Sequence, residues 1–366
     1  MTSASKASEK VKAKSMREDG SDGACRESRE VYHGGDLASA RRRFPTAPEP
    51  WLDLSTGINP IAYPFAELSA AAWTRLPDRA AIASLESAAA AAYGVRGAAT
   101  VIAAPGEQAL IQLTPHLAAA PRVGVLGFTY AEHEACWRAC GAAVQTVEEV
   151  ASLAAYDAAV IVNPNNPDGR LVGRADLLDL AERLARKDGV LIVDEAFMDA
   201  IGEGESLVPA LPSSGVAVLR SFGKLYGLAG LRLGFAIAAP VLAATIRRAL
   251  GPWAVSGPAV EIGRAAFADS VWRRECLARL ARDAARLDAL LASARLAVIG
   301  GTPLFRLVRS ACAAAWFEHL GRAGILARPF PARRDWLRFG LPGPEADWLR
   351  LERALRSGPG AVTGDP

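Results

Sequence analysis

The chain has 366 residues, 51% of them apolar and 22% charged, with a formal net charge of +3. That length and apolar share allow one large core and a smaller second one; the arginines are dispersed among acids, which argues against a nucleic-acid-binding stripe. No stretch reaches about 18 apolar residues without a charge or a helix breaker, so no membrane span is expected.

Residues 1–30 are rich in Lys, Ser, Glu and Asp and nearly free of large apolar side chains, so burial there cannot offset the entropy of ordering and a disordered tail is expected. The tail has no apolar signal core, and its acids argue against a transit peptide, so a cytoplasmic location is expected. Residues 31–72 are expected to form an N-terminal arm packed near a small C-terminal domain, and residues 73–255 a large domain. The alanine-rich run over 80–92 reads as a helix from propensity. From about Thr100 to Ala238, short β-branched runs alternate with longer helical segments; 101–102, 123–126, 159–162, 190–193, 216–219 and 233–237 read as strands. This alternation predicts an α/β fold with a mostly parallel sheet covered on both faces, whose ligands bind in loops beyond the carboxyl ends of the strands. A helical linker is expected over 256–293, its pattern running from about Pro258 to Ser293. A small α+β domain is expected over 294–360, with strands at 297–299, 304–308 and 336–339 and a helix from Pro344.

The five cysteines, Cys25, Cys136, Cys140, Cys276 and Cys312, are odd in number and scattered, with only Cys136 and Cys140 one helical turn apart. Buried thiols in a reducing compartment are expected. His33, His116, His133 and His319 form no paired-ligand spacing, and no metal site is expected.

The most informative stretch is Ser221-Phe-Gly-Lys224-Leu-Tyr-Gly-Leu-Ala-Gly-Leu-Arg232-Leu-Gly234, which sets one lysine between a hydroxyl and an arginine among glycines. A lysine held beside other cations or in an apolar pocket loses its proton more easily and can form a Schiff base with an aldehyde. Ser221 and Arg232 can grip a phosphate, and the glycines let backbone approach it. These are the needs of a pyridoxal phosphate anchor. Asp194 follows an apolar strand, where a carboxylate would keep the pyridine nitrogen of that cofactor protonated. Asn166, in a proline-stiffened turn, could donate to its phenolic oxygen. Gly106-Glu107-Gln108 opens a helix after a strand and presents backbone N–H groups to a phosphate. Tyr130 could stack on the ring. Taken singly, each has a plain structural explanation: a strand-ending acid, a turn amide, a common strand–helix junction and a core aromatic.

Together, from Val31 onward, these residues resemble the pyridoxal phosphate-dependent enzymes of the aspartate aminotransferase fold, fold type I. The resemblance implies a large domain built on a mostly parallel, seven-stranded sheet flanked by helices, a small α+β domain, and a homodimer. It implies Lys224 as the Schiff-base lysine, Asp194 as the partner of the pyridine nitrogen, Asn166 as the phenolate donor and Tyr130 as the stacking ring. Ser221, Arg232 and Gly106, Glu107 and Gln108 become the phosphate cup. Arg338, in Trp336-Leu-Arg338-Phe-Gly340, resembles the family's arginine for the substrate carboxylate.

Within that superfamily the chain is similar to the histidinol-phosphate aminotransferases and to their sister group, the threonine-phosphate decarboxylases of cobalamin biosynthesis. His33-Gly34-Gly35-Asp36, followed by Leu52-Asp-Leu-Ser-Thr-Gly-Ile-Asn59-Pro60, resembles the decarboxylase branch, and Phe197 stands where aminotransferases usually carry a tyrosine. The decarboxylase branch implies loss of CO2 from O-phospho-L-threonine to give (R)-1-aminopropan-2-yl phosphate. His33, Gly34, Gly35, Asn59, Asn166, Arg328 and Arg338 are then the expected substrate contacts. Leu76, in Arg75-Leu76-Pro77-Asp78, replaces a tyrosine that usually reaches the partner subunit's cofactor, so that contact is not expected here. The same residues would serve an aminotransferase. A DNA-binding regulator with a sensor domain of this fold is a further alternative, but the short polar N-terminus leaves no room for a helix-turn-helix. An inactive scaffold is opposed by the joint presence of Lys224, Asp194 and Arg232.

Overall fold

The alternating β-branched and helical segments assemble into one seven-stranded sheet wrapped by helices, in a computed structural model that describes residues 33–202 and 204–359. In chain order, β1 is Leu52–Asp53, followed by β2 (Thr100–Ala104), β3 (Arg122–Leu126), β4 (Ala143–Val147), β5 (Ala158–Val162), β6 (Val190–Asp194), β7 (Val216–Ser221) and β8 (Gly234–Ala238). The large sheet runs β2-β8-β7-β6-β5-β3-β4, with β8 antiparallel to both of its neighbours and every other pair parallel. Its central strands read as continuous apolar runs because both faces are covered. Val160, Ile192 and Leu219 pack into one apolar cluster, and Ile161, Val193 and Val218 into another. The helix expected over 80–92 forms as Arg79–Ala92, started by the Asp78 side chain accepting from the backbone N–H of Ala81.

Strand β4 has no counterpart in the β-branched pattern. It lies at the edge of the sheet with only Val144 fully buried, so its sequence carries little of the apolar signal that marks the interior strands. The helical linker is two helices, Gly257–Ala268 and Ser270–Ser293, divided at Asp269. The Asp269 carboxylate accepts from the backbone N–H of Trp272 at 2.9 Å and starts the second helix, so the break does not interrupt the run of helix-forming residues around it.

Beyond it lie β9 (Ala297–Thr302), β10 (Phe305–Arg309), β11 (Ile325–Leu326), β12 (Arg328–Phe330) and β13 (Arg333–Gly340). An antiparallel sheet of order β12-β13-β10-β9 is backed by helices Ala313–Arg322 and Glu345–Ser357. The short strands β11 and β12 and helix Ala313–Arg322 are additions to the sequence pattern. β1, within the segment 31–72, pairs in parallel with β11, which ties that segment to this part of the chain. The tail expected over 1–30 lies outside the described residues, as does Cys25. Cys140 and Cys312 are exposed, contrary to the expectation of buried thiols; they sit at a helix end and in a loop, while Cys276 is buried in the core. Among the described residues no helix is long and apolar enough to cross a membrane, and no group of three or more His, Cys, Asp and Glu side chains is placed to hold a metal ion.

Beneath the carboxyl ends of β6 and β7 lies a buried ionic network. Arg220 Nη1 donates to Asp199 at 2.8 Å, and its Nη2 lies 2.9 Å from Glu195, which also accepts from the Ser206 hydroxyl at 2.7 Å and the Leu207 N–H at 2.8 Å. The guanidinium also lies 4.7 Å from the ring centroid of Tyr93. Removing one partner leaves buried charges without compensation. Arg220→Ala should therefore lower stability by about 3–5 kcal/mol, read as a fall in the urea midpoint at unchanged slope.

Candidate active site

Strands β2, β3, β5, β6 and β7 run the same way, so the loops at their carboxyl ends converge on one edge of the sheet. There they enclose a cavity of about 530 Å³. The structure brings Lys224, Asp194, Asn166, Tyr130, Ser221 and Arg232 to its wall. Glu107 and Gln108 join them from the helix after β2, and His33, Gly34, Arg328 and Arg338 from either end of the chain.

Lys224 sits in the short helix Phe222–Leu225 that follows β7 directly. Desolvation of its amine is the largest influence and, aided by Arg338 and Arg328 against the opposing charges of Glu107 and Asp194, pushes its pKa down to about 8. Its Nζ lies 5.3 Å from the centroid of Phe197, so no hydroxyl faces the amine from that residue.

Asp194 ends β6 and is 2% exposed. Burial by itself would raise its pKa; the His133 Nε2–H donating to Oδ2 at 2.8 Å, the contact with Glu107 and the Ala196 N–H at 3.0 Å outweigh it and hold the carboxyl below its ordinary value. His133 is fully buried on helix Ala131–Ala139. Reading the histidines for metal spacing alone misses this residue.

The Tyr130 hydroxyl donates to Gln108 at 3.1 Å, Gln108 donates to Glu132 at 2.8 Å, and Glu132 lies 3.0 Å from His33 Nε2. Burial, then the nearby Glu132, raises the Tyr130 pKa, so it is a neutral phenol at physiological pH. Asn166 accepts from Arg338 Nη1 at 2.5 Å through Oδ1, which directs its amide nitrogen away from that pair. Arg338 also donates to the Ser55 carbonyl at 2.8 Å and lies 4.8 Å from the centroid of Phe305. It is 2% exposed, and desolvation, with Arg328 beside it, lowers its pKa well below the usual guanidinium value.

Arg232 adopts a left-handed conformation, φ 53°, at the turn before β8. Gly106 packs behind it with φ 86°, where a Cβ would lie 2.6 Å from Arg232 Nη2. Gly106 thus contributes close approach, not a side of the cavity. Two expected substrate contacts are placed elsewhere. Asn59 is buried outside the cavity, its amide donating to the Leu225 carbonyl at 2.7 Å and its Oδ1 accepting from Arg279 at 2.7 Å; with its own N–H bonded to the Lys224 carbonyl, it braces the lysine helix from behind. Gly35 donates its N–H to Ser55 Oγ at 2.7 Å and only supports the adjoining Gly34.

The family model described as aminotransferase class I and II matches residues 51–355. The chain belongs to this family. Among curated members it is 43% identical to the threonine-phosphate decarboxylase of Pseudomonas aeruginosa over 89% of this chain and 97% of that protein. It is 33% identical to the histidinol-phosphate aminotransferase of Oleidesulfovibrio alaskensis over 67% of this chain and 70% of that one. The fold matches the crystal structure of histidinol-phosphate aminotransferase from Sinorhizobium meliloti in complex with pyridoxal-5'-phosphate, with a TM-score of 0.74 at 19% identity over 93% of this chain and 99% of that one. The large sheet with its flanking helices is thus the type I fold of the aminotransferases, and the cavity lies at its carboxyl edge.

In this aminotransferase-family protein, a lysine with a pKa near 8 is mostly neutral a pH unit above that value. Acylation of Lys224 by an amine reagent, followed by peptide mass mapping in the cofactor-free protein, should show a midpoint near pH 8, against about 10.4 for an unperturbed lysine.

Proposed function

We propose that the protein is a pyridoxal 5'-phosphate-dependent lyase that removes CO2 from O-phospho-L-threonine, a step of cobalamin biosynthesis. The observation that carries this reading is the 43% identity to a threonine-phosphate decarboxylase, nearly end to end, against 33% over a shorter span for the histidinol-phosphate aminotransferase.

The cavity suits the cofactor. It offers an amine with a depressed pKa, a buried carboxylate to pair with a protonated ring nitrogen, and an asparagine amide for a phenolate oxygen. A hydroxyl and a guanidinium, Ser221 and Arg232, both line it and are suited to a phosphate. When bound, the cofactor's pyridinium would supply an electron sink for the bond broken at Cα.

The remaining work falls to the chain. Asp194, charged and fixed by His133, holds the proton on the ring nitrogen. Tyr130, neutral and tied to Gln108, covers the ring. Arg328 and His33 would bind the substrate phosphate and, by anchoring that end, would orient the substrate so that the carboxylate is the group lost. As CO2 leaves without the bonding electrons, the Lys224 ammonium would supply the proton that takes its place on Cα. Phe197 has no hydroxyl to offer, so Asn166 would serve the phenolate oxygen.

The test is to incubate the protein with pyridoxal phosphate and O-phospho-L-threonine. CO2 and aminopropanol phosphate should appear in equal amounts without any oxo acid, and Lys224→Ala should slow the reaction by about 10²–10⁴-fold. Amino transfer to 2-oxoglutarate without CO2 release would refute the decarboxylase and leave an aminotransferase.

We also propose that the protein acts as a homodimer. Trp73 and Leu76 are 70% and 67% exposed, Trp253 is 56% exposed, and the approach of Gly257 to the Ala72 backbone draws these two segments together. Exposed apolar side chains gathered in this way mark an interaction surface. Light scattering should give twice the chain mass for the native protein and the mass of a single chain for Trp73→Glu; a native monomer would refute the dimer.

A further inference from the structure

One cavity group has no part in the proposed reaction. Glu107 is 9% exposed, and its Oε1 has no hydrogen-bond partner. It lines the same cavity as Lys224 and Arg232. The Glu107 carboxyl lies within hydrogen-bonding reach of the Asp194 carboxyl, so the two are placed to share a proton. The backbone leaves this residue no retreat: a Cβ at Gly234, the first residue of β8, would lie 2.4 Å from the Glu107 nitrogen.

Several charged or titratable groups face this carboxyl. Asp194 does so from β6, Arg220 from β7 and Lys224 from its short helix, while Tyr130 stands before helix Ala131–Ala139 and His133 on that helix behind Asp194. Arg232 lies against the adjoining Gly106. Two carboxyls in such contact do not both ionise readily. Asp194 is stabilised as an anion by His133 and the Ala196 N–H, whereas Glu107 Oε1 has no donor, so the shared proton resides on Glu107. Desolvation first, then the charge of Asp194, raises the Glu107 pKa well above its ordinary value, in accord with that placement.

We propose that Glu107 is a proton-gated acid of the cofactor cavity: neutral, it admits a phosphate ester beside Arg232 and Ser221; ionised, it opposes one, so that binding at alkaline pH is accompanied by uptake of a proton at Glu107. This rests on the reading of the cavity as a pyridoxal phosphate site. The sign follows from linkage. An anionic ligand raises the Glu107 pKa further, so affinity is independent of this group below its pKa in the free protein and falls by about tenfold per pH unit above it, until the pKa of the complex is reached.

Pyridoxamine 5'-phosphate is the probe, because it carries the phosphate and ring but cannot form a Schiff base with Lys224. Calorimetric titration of the full chain, freed of cofactor, in buffers of different ionisation heat gives both the dissociation constant and the number of protons taken up. Titration of the ligand phosphate contributes equally to native protein and to Glu107→Gln; because Glu107 also acts on the Lys224 amine, the comparison is repeated in a Lys224→Ala background, where the difference reports Glu107. In titrations run from pH 5 to pH 10, uptake by the native protein should exceed that of Glu107→Gln by an amount that grows with pH toward one proton, and Glu107→Ser should behave like Glu107→Gln. Equal uptake by the native protein and both variants throughout this range would overturn the proposal while leaving the cofactor reading intact. Failure of the native protein to bind the probe at any pH would overturn both.

Discussion

A single charge at the end of a fully apolar strand governs the arrangement around it. Residues 190–193 of β6 are all buried and uncharged, and the strand then ends on the Asp194 carboxylate at 2% exposure. Moving a carboxylate out of water costs several kcal/mol unless fixed donors replace the water. Here the donors are one imidazole and one backbone N–H, and the imidazole is in place only because helix Ala131–Ala139 lies over that end of the sheet. The same carboxylate opposes the effect of desolvation on Lys224 and adds to the desolvation that raises the Glu107 pKa. The electrostatics of the cavity therefore descend from one well-supported anion.

The next residue along the chain repeats the problem in a different place. Where Asp194 meets His133 at the cavity, Glu195 turns to Arg220 and the loop at Ser206. One acid thus serves the cavity and its neighbour anchors the floor beneath it. Arg220 in turn is adjacent to Ser221, so the network holds the ends of β6 and β7, from which Asp194 and the lysine helix project. A well-supported first layer needs such backing, because a site displaced by an ångström loses much of its catalytic geometry.

How much of this was legible in the residues can be judged from particular cases. The interior strands were, since strands buried on both faces are written as uninterrupted β-branched and aliphatic runs; edge strand β4 was not, since it buries only Val144. The segment from Ser221 to Gly234 was legible as a site because its chemistry lies within one turn-sized piece of chain. Asn59 was misplaced: the resemblance of its segment to the decarboxylase branch implied a substrate contact, yet it lies behind the lysine helix, held by Leu225 and Arg279, a partner 220 positions away. His133 was passed over because its partner is 61 residues distant and the pair leaves no local pattern.

The chain by itself determined the class of fold, the lysine with its phosphate-gripping neighbours, and the candidates for the ring-binding groups, because periodicity and short motifs express local physics. Which polar side chains reach the cavity and which brace it was decided only by tertiary structure, as was the opposite direction in which the Glu107 and Asp194 pKa values are shifted. Those outcomes depend on burial and on distances between groups far apart in sequence, and the free energy of a charge is set by what surrounds it in space, which no order of residues states directly.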